Sequence, residues 1–270
     1  MLDVTILKVL HETVTRARDA LKYIQSCDVF SPEAGFLTER EAEQVERAWQ
    51  QALDEDWSRT RYNKDLPFEP TDPDPSIRAY QLKTMEYAFL EKRPLWMLER
   101  FDKDGEALLK AYAARLRAAS QCCRDALGAG NIESFFEEYW KEARDFNEGK
   151  VLRDQHMGKQ LDNAEARIRQ RYPQYQNKEP IRVLTYIGAA HEPEAYTQIP
   201  VRLVSLDAYD KGLHAREQCT PEVRRQILVK GILKVFTWLP VLPQNVPLLS
   251  FDELVAVAKE SSAYAARFTR

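Results

Sequence analysis

At 270 residues and 31.4 kDa the chain can bury a full core without disulfide or metal staples. Its 44% hydrophobic and 30% charged content excludes extended disorder and low-complexity material. With 39 Lys+Arg against 42 Asp+Glu the net charge is -3, so no whole-molecule field draws it to nucleic acid or an anionic membrane.

The opening Met1 to Leu10 carries Asp3 where a secretory peptide needs positive charge, and is read as the start of the mature chain. The most apolar later stretch, 232–242, holds Lys234 and two prolines and is too short to span a bilayer, so a cytoplasmic protein is expected. Cys27, Cys122, Cys123 and Cys219 form no CxxC pair and read as reduced and structural.

In chain order, Val4 to Leu10 predicts a buried strand running into His11 and Glu12. A helix over 13–26 follows, then a short strand at Asp28 to Glu33, a crossover length that suits a parallel β-α-β unit. Thr38 and Glu41 form a capping box that opens a helix from Glu39 to about Leu53. Asp65 to Pro75, rich in proline and acid, reads as an extended connection. The stretch 76–171 reads as a helical insertion within a single domain spanning 1–270. Inside it Ile132, Phe135, Phe136, Tyr139, Trp140, Ala143 and Phe146 mark one apolar face, and Trp96, Met97 and Tyr87 read as core.

Strands return at Ile181 to Ile187 and Val201 to Leu206. Pro221 opens a helix to about Trp238, and a Ser250/Glu253 capping box opens the last helix, to about Ala266. The expected architecture is α/β and helix-rich, with two small β-α-β halves forming a parallel or mixed sheet and a large helical insertion.

No GxGxxG, P-loop, HExxH or GxSxG string is present. Position is the remaining clue: His11 and His191 each end a strand, with Glu12, Glu33 and Glu192 nearby, and ligands of parallel sheets bind at carboxyl strand ends. The plainer reading is that these are ordinary polar residues at strand ends. Arg153, Met157, Leu161, Ala164 and Ile168 recur at helical spacing, which puts Arg153 on an apolar face where it needs an anion, Glu33 being the preferred partner. Asp154 falls off this face and reads as a local cap or pair. Solvent exposure of Arg153 at the stripe's edge is the alternative.

A strand-end His, a Ser-Pro-Glu strand, an Arg-Asp helix and a Gly-x-x-His strand together resemble the superfamily that joins Tiki peptidases, TraB/PrgY proteins, ChaN and erythromycin esterases. The likeness is clearest in VLRDQHMGKQLDNAEARI (151–168) and VLTYIGAAHEPEA (183–195). At position 8 that superfamily has Gly, and this chain has Lys8. The resemblance implies an α/β fold of two related halves, with His11 and His191 as paired histidines, Glu33 as the acid and Arg153 as the orienting cation. The activities it spans, peptide cleavage, lactone hydrolysis and haem binding, do not fix one reaction.

The expected function is hydrolysis of a small-molecule or peptide substrate. In one version His11, Glu33 and His191 hold a divalent metal ion that activates water; in the other a histidine is the general base and Glu33 orients it. The alternative is a non-catalytic ligand-binding or protein-interaction member of the same fold. His156 reads as a solvent-facing helix residue near the site, and His214 carries no pattern. A basic, aromatic stretch with Arg167, Arg169, Arg171, Tyr172, Tyr175, Lys178 and Arg182 reads as a solvated helix-to-strand connection rather than a nucleic-acid surface.

Overall fold

A computed structural model of the chain describes residues 1–10, 14–33, 37–65, 75–236, 239–240 and 242–267. The described strands are β1 (Leu2–Val9), β2 (Val29–Pro32), β3 (Leu37–Thr38), β4 (Arg100–Phe101), β5 (Ile181–Gly188) and β6 (Val201–Ser205). The described α-helices are α1 (Val14–Ser26), α2 (Glu39–Asp54), α3 (Arg59–Lys64), α4 (Pro75–Leu90), α5 (Lys103–Gly128), α6 (Ile132–Asp162), α7 (Ala164–Arg171), α8 (Pro221–Phe236) and α9 (Phe251–Ala265). Both predicted capping boxes are present, Thr38 with Glu41 and Ser250 with Glu253. The fold is α/β and helix-rich, and its main sheet is parallel throughout, in the order β2-β5-β1-β6. Residues 66–74 of the proline-rich connection and 237–238 at the expected end of α8 lie outside the described residues.

The chain packs as two compact units, Met1–Leu108 with Lys150–Tyr209, and Leu109–Gly149 with Asp210–Arg270. The helical stretch 76–171 is shared between them, 109–149 belonging to the second.

In the first unit β1, β2 and β5 are buried on both faces, which is why β1 and β5 read as near-continuous apolar runs, while the edge strand β6 is largely exposed. Side chains alternate with period two. Leu7, Val9, Leu184 and Tyr186 face the layer that holds Ala20, Ile24, Trp49, Met85 and Phe89. Val4, Ile6, Ile181, Val183 and Ile187 face the opposite layer, with Met157, Leu161, Ala164, Ile168 and Tyr172. The helical stripe beginning at Arg153 therefore does pack on the sheet, and Trp96 and Met97 are buried as expected. The segment 94–98 also runs beside β2: Phe30 N–H donates to Pro94 O, and Trp96 N–H donates to Phe30 O.

The predicted β1-α1-β2 crossover is parallel, but its strands are not neighbours, because β5 is inserted between them with Val183 in register with both Val4 and Val29. This places the carboxyl ends of β2 and β5 side by side.

Gly158 allows the chain after β5 to lie against α6. A Cβ there would meet the Tyr196 carbonyl carbon at 2.6 Å and its oxygen at 2.7 Å. Both are backbone atoms that cannot rotate away. Gly158→Ala is therefore expected to cost about 2 kcal/mol, a fall in Tm of roughly 6 °C by calorimetry.

The second unit is helical. Its core joins Phe135 and Phe136 of α6 to Ile227, Leu228 and Ile232 of α8 and Leu254 of α9. The aromatic face predicted from Ile132 is thus core: Ile132, Phe135, Phe136 and Ala143 are buried, and Tyr139 and Phe146 are half-buried. All four cysteines are free.

Candidate functional site

Three backbone features converge at the carboxyl edge of the sheet. Glu33 follows β2 directly, its N–H donating to Tyr186 O at 2.7 Å. At the end of β5, Ala189 N–H donates to Val9 O (2.7 Å), and a turn closes with His191 N–H on Gly188 O (3.0 Å). The third contributor is α6, which presents Lys150, Arg153 and Asp154 from consecutive turns.

Glu33 and Arg153 meet, as their patterns predict: Arg153 Nη2 lies 2.8 Å from Glu33 Oε1. The other oxygen of Glu33 accepts the Gly188 N–H at 2.6 Å. Arg153 also grips Glu99, with Nε at 2.8 Å and Nη2 at 2.5 Å from Oε1, and Glu99 is 0% exposed. Burial opposes the guanidinium charge, yet the two carboxylates outweigh it and hold the Arg153 proton more firmly than usual. Glu99 escapes the sequence reading because it ends the apolar run Leu95 to Leu98; an acid abutting such a run is the only signal it leaves.

His191 is 4% exposed and is held at both ring nitrogens. Nδ1 lies 2.6 Å from Asp154 Oδ1, and Nε2 lies 3.3 Å from Glu33 Oε1. Asp154 also accepts the Glu192 N–H at 3.0 Å and an ion pair from Lys150 Nζ at 3.0 Å; Lys150 reaches Glu192 Oε2 at the same distance. Asp154 does pair locally, with Lys150 one turn back, but its larger role is to fix the His191 ring.

The charges explain the protonation of the histidine. Burial is the largest influence on His191 and favours the neutral ring, as does the charge of Arg153; Glu33 and the Asp154 hydrogen bond prevail and raise its pKa to about 9. A pKa raised this far favours the imidazolium at neutral pH, with Nδ1 hydrogen-bonded to Asp154 and Nε2 ion-paired with Glu33. Asp154 shows the complement: burial works to raise its pKa, but His191 and Lys150 hold it below its ordinary value.

His11 and Glu12, expected beside these groups, lie outside the described residues. Among the described residues no group of three His, Cys, Asp or Glu side chains could hold a metal ion. Of the expected ligand set Glu33 and His191 are described and lie together, and Arg153 already places a cation on the Glu33 oxygen nearest the ring. The described residues do not by themselves fit a divalent ion.

Lys8, where the resembled superfamily has Gly, is buried and ion-paired with Glu194, just past His191. His156 is not solvent-facing: it is half-buried, stacked on Phe101 at 4.1 Å, with its Nε2 against Arg100 O. The basic, aromatic stretch is committed elsewhere. Tyr172 is buried with its hydroxyl on Leu95 O, Tyr175 donates to Asp28 O, and Lys178 and Arg182 pair with Asp28.

Comparison with protein-family models finds no matching family, and comparisons with curated proteins and with solved structures find no match. No helix among the described residues is long and apolar enough to cross a membrane.

Proposed function

We propose that the Asp154–His191–Glu33 chain is the proton-handling core of a hydrolase acting on an ester or peptide bond, the activity that the Tiki- and erythromycin-esterase-like resemblance implies. The observation that supports it is a single buried histidine set between two carboxylates, one that orients it and one that can exchange a proton with it.

In this reading Glu33 takes a proton from water as the water oxygen bonds to the substrate carbonyl carbon. His191 gives its Nε2 proton to the leaving oxygen or nitrogen as that bond breaks. The proton then returns from Glu33 to His191 across their 3.3 Å separation, which restores both groups. Asp154 keeps the ring oriented throughout and offsets its charge. Arg153 holds Glu33 in place and supplies positive charge near the developing oxyanion. No step runs through a metal.

The test is a screen of p-nitrophenyl esters and fluorogenic peptides with the parent protein and with Glu33→Gln and His191→Gln variants. Turnover by the parent is expected to fall by about 100-fold or more in each variant and to survive chelation. Turnover that persists in His191→Gln contradicts the assignment. Turnover lost on chelation, with metal bound in equal amount to protein, favours the metal version with His11 as a further ligand.

The tight mutual pairing of these groups favours a second reading, in which they only brace the sheet edge. That reading expects His191→Gln to lower Tm with no turnover in any form of the protein.

A further inference from the structure

The second unit contains a cavity of about 220 Å³ between α5, α6 and α8, lined by no residue of the carboxylate–histidine site. Its floor is apolar, made by the buried side chains of Cys123, Phe135 and Ile227. One wall is aromatic, where Phe146 stacks on the His214 ring with centroids 4.4 Å apart. Burial and the nearby Lys230 push the His214 pKa down to about 4, so this wall is uncharged at neutral pH.

The rim is cationic. Lys230 and Lys234 stand one turn apart on α8, both exposed, and Arg124 of α5 faces the same space. Arg124 bonds the neutral Gln121 and Ser120 side chains, and Lys234 has no ion pair among the described residues. Glu142 is the one carboxylate among the described lining residues, so the mouth carries an excess of positive charge over an apolar interior.

We infer that this cavity binds a small amphipathic carboxylic acid, with its apolar body on Phe135 and Ile227 and its carboxylate at Arg124 and Lys234. Size limits the ligand: an apolar cavity of about 150 Å³ holds one benzene ring, so this one accommodates a ring with a short chain, below drug size. The apolar body supplies the favourable burial, and the cations at the mouth select an acid over a neutral analogue.

The experiment is isothermal titration of the full chain with 3-phenylpropionate and with the neutral 3-phenyl-1-propanol. The acid is expected to bind about tenfold or more tightly than the alcohol, and to weaken with added salt. Arg124→Gln with Lys234→Gln should remove that preference and leave alcohol binding unchanged; both keep a polar side chain, and an unchanged Tm would show the fold intact. Leu116→Trp, which fills the half-buried wall, should block both probes. Equal affinity for acid and alcohol, or no binding of either up to roughly 5 mM, overturns the inference.

Discussion

Arg153→Met is expected to destabilise the protein by about 3–5 kcal/mol, the largest stability loss of any single substitution at the sheet edge. The reason is the fate of its partners. Glu99 is 0% exposed and Glu33 nearly buried, and both take charge-assisted hydrogen bonds from one guanidinium. Methionine matches the stem of arginine and leaves two carboxylates to repel each other in a region of low dielectric. Their simplest relief is to take up protons, so the loss should shrink as the pH is lowered. Adding Glu99→Gln should recover part of it, because the uncompensated charge goes with the acid, and a coupling of about 0.5–3 kcal/mol is expected for groups in contact. Urea denaturation of the two single variants and the double variant measures this. A loss below about 1 kcal/mol for Arg153→Met would mean that water screens the network as it screens a surface pair.

The second large effect is on pH dependence. His191 has a pKa of about 9 in the folded protein against 6.5 in an unfolded chain, so the folded state holds its proton more tightly. The stabilisation this provides is complete below about pH 6.5 and is lost as the pH rises through about 9. Its magnitude is on the order of 3 kcal/mol. Stability should therefore decline over this window in the parent, and the decline should be absent in His191→Gln. Taking the difference between the two proteins removes other groups that titrate there, including the N-terminal amine. Asp154 acts at the acid end with the opposite sign. Its pKa is depressed on folding, so its contribution is present above its ordinary pKa and lost as the pH falls through the lower folded value. The network is thus most stable on the acid side of neutrality, between the ordinary pKa of Asp154 and about pH 6.5, with one flank set by the imidazolium and the other by its carboxylate.

The Glu33–Arg153 pair was legible in the sequence because a charge on an apolar stripe is a physical anomaly that demands a partner, and an acid at a strand end is a natural one. Asp154 was legible only as a local pair. Helical periodicity describes one face, and the next residue points about 100° away, onto a flank whose covering depends on where the chain after β5 goes. That path is set by Gly158 and by the turn at Gly188, neither of which announces a tertiary contact. The insertion of β5 between β1 and β2 was hidden for a related reason: all three strands are apolar on both faces, and nothing in such a run specifies its neighbours. Glu99 and His156 were missed because burial decides their roles, one gripped by Arg153 and the other stacked on Phe101.

Nitrogen-15 NMR of the histidine ring reports directly whether His191 is held as an imidazolium between Asp154 and Glu33. With His191→Gln supplying the assignment, both ring nitrogens are predicted to be protonated at pH 7, with a single titration near pH 9 that moves down when Glu33 is changed to Gln. A neutral ring at pH 7 with one bare nitrogen, titrating near 6.5, would contradict it.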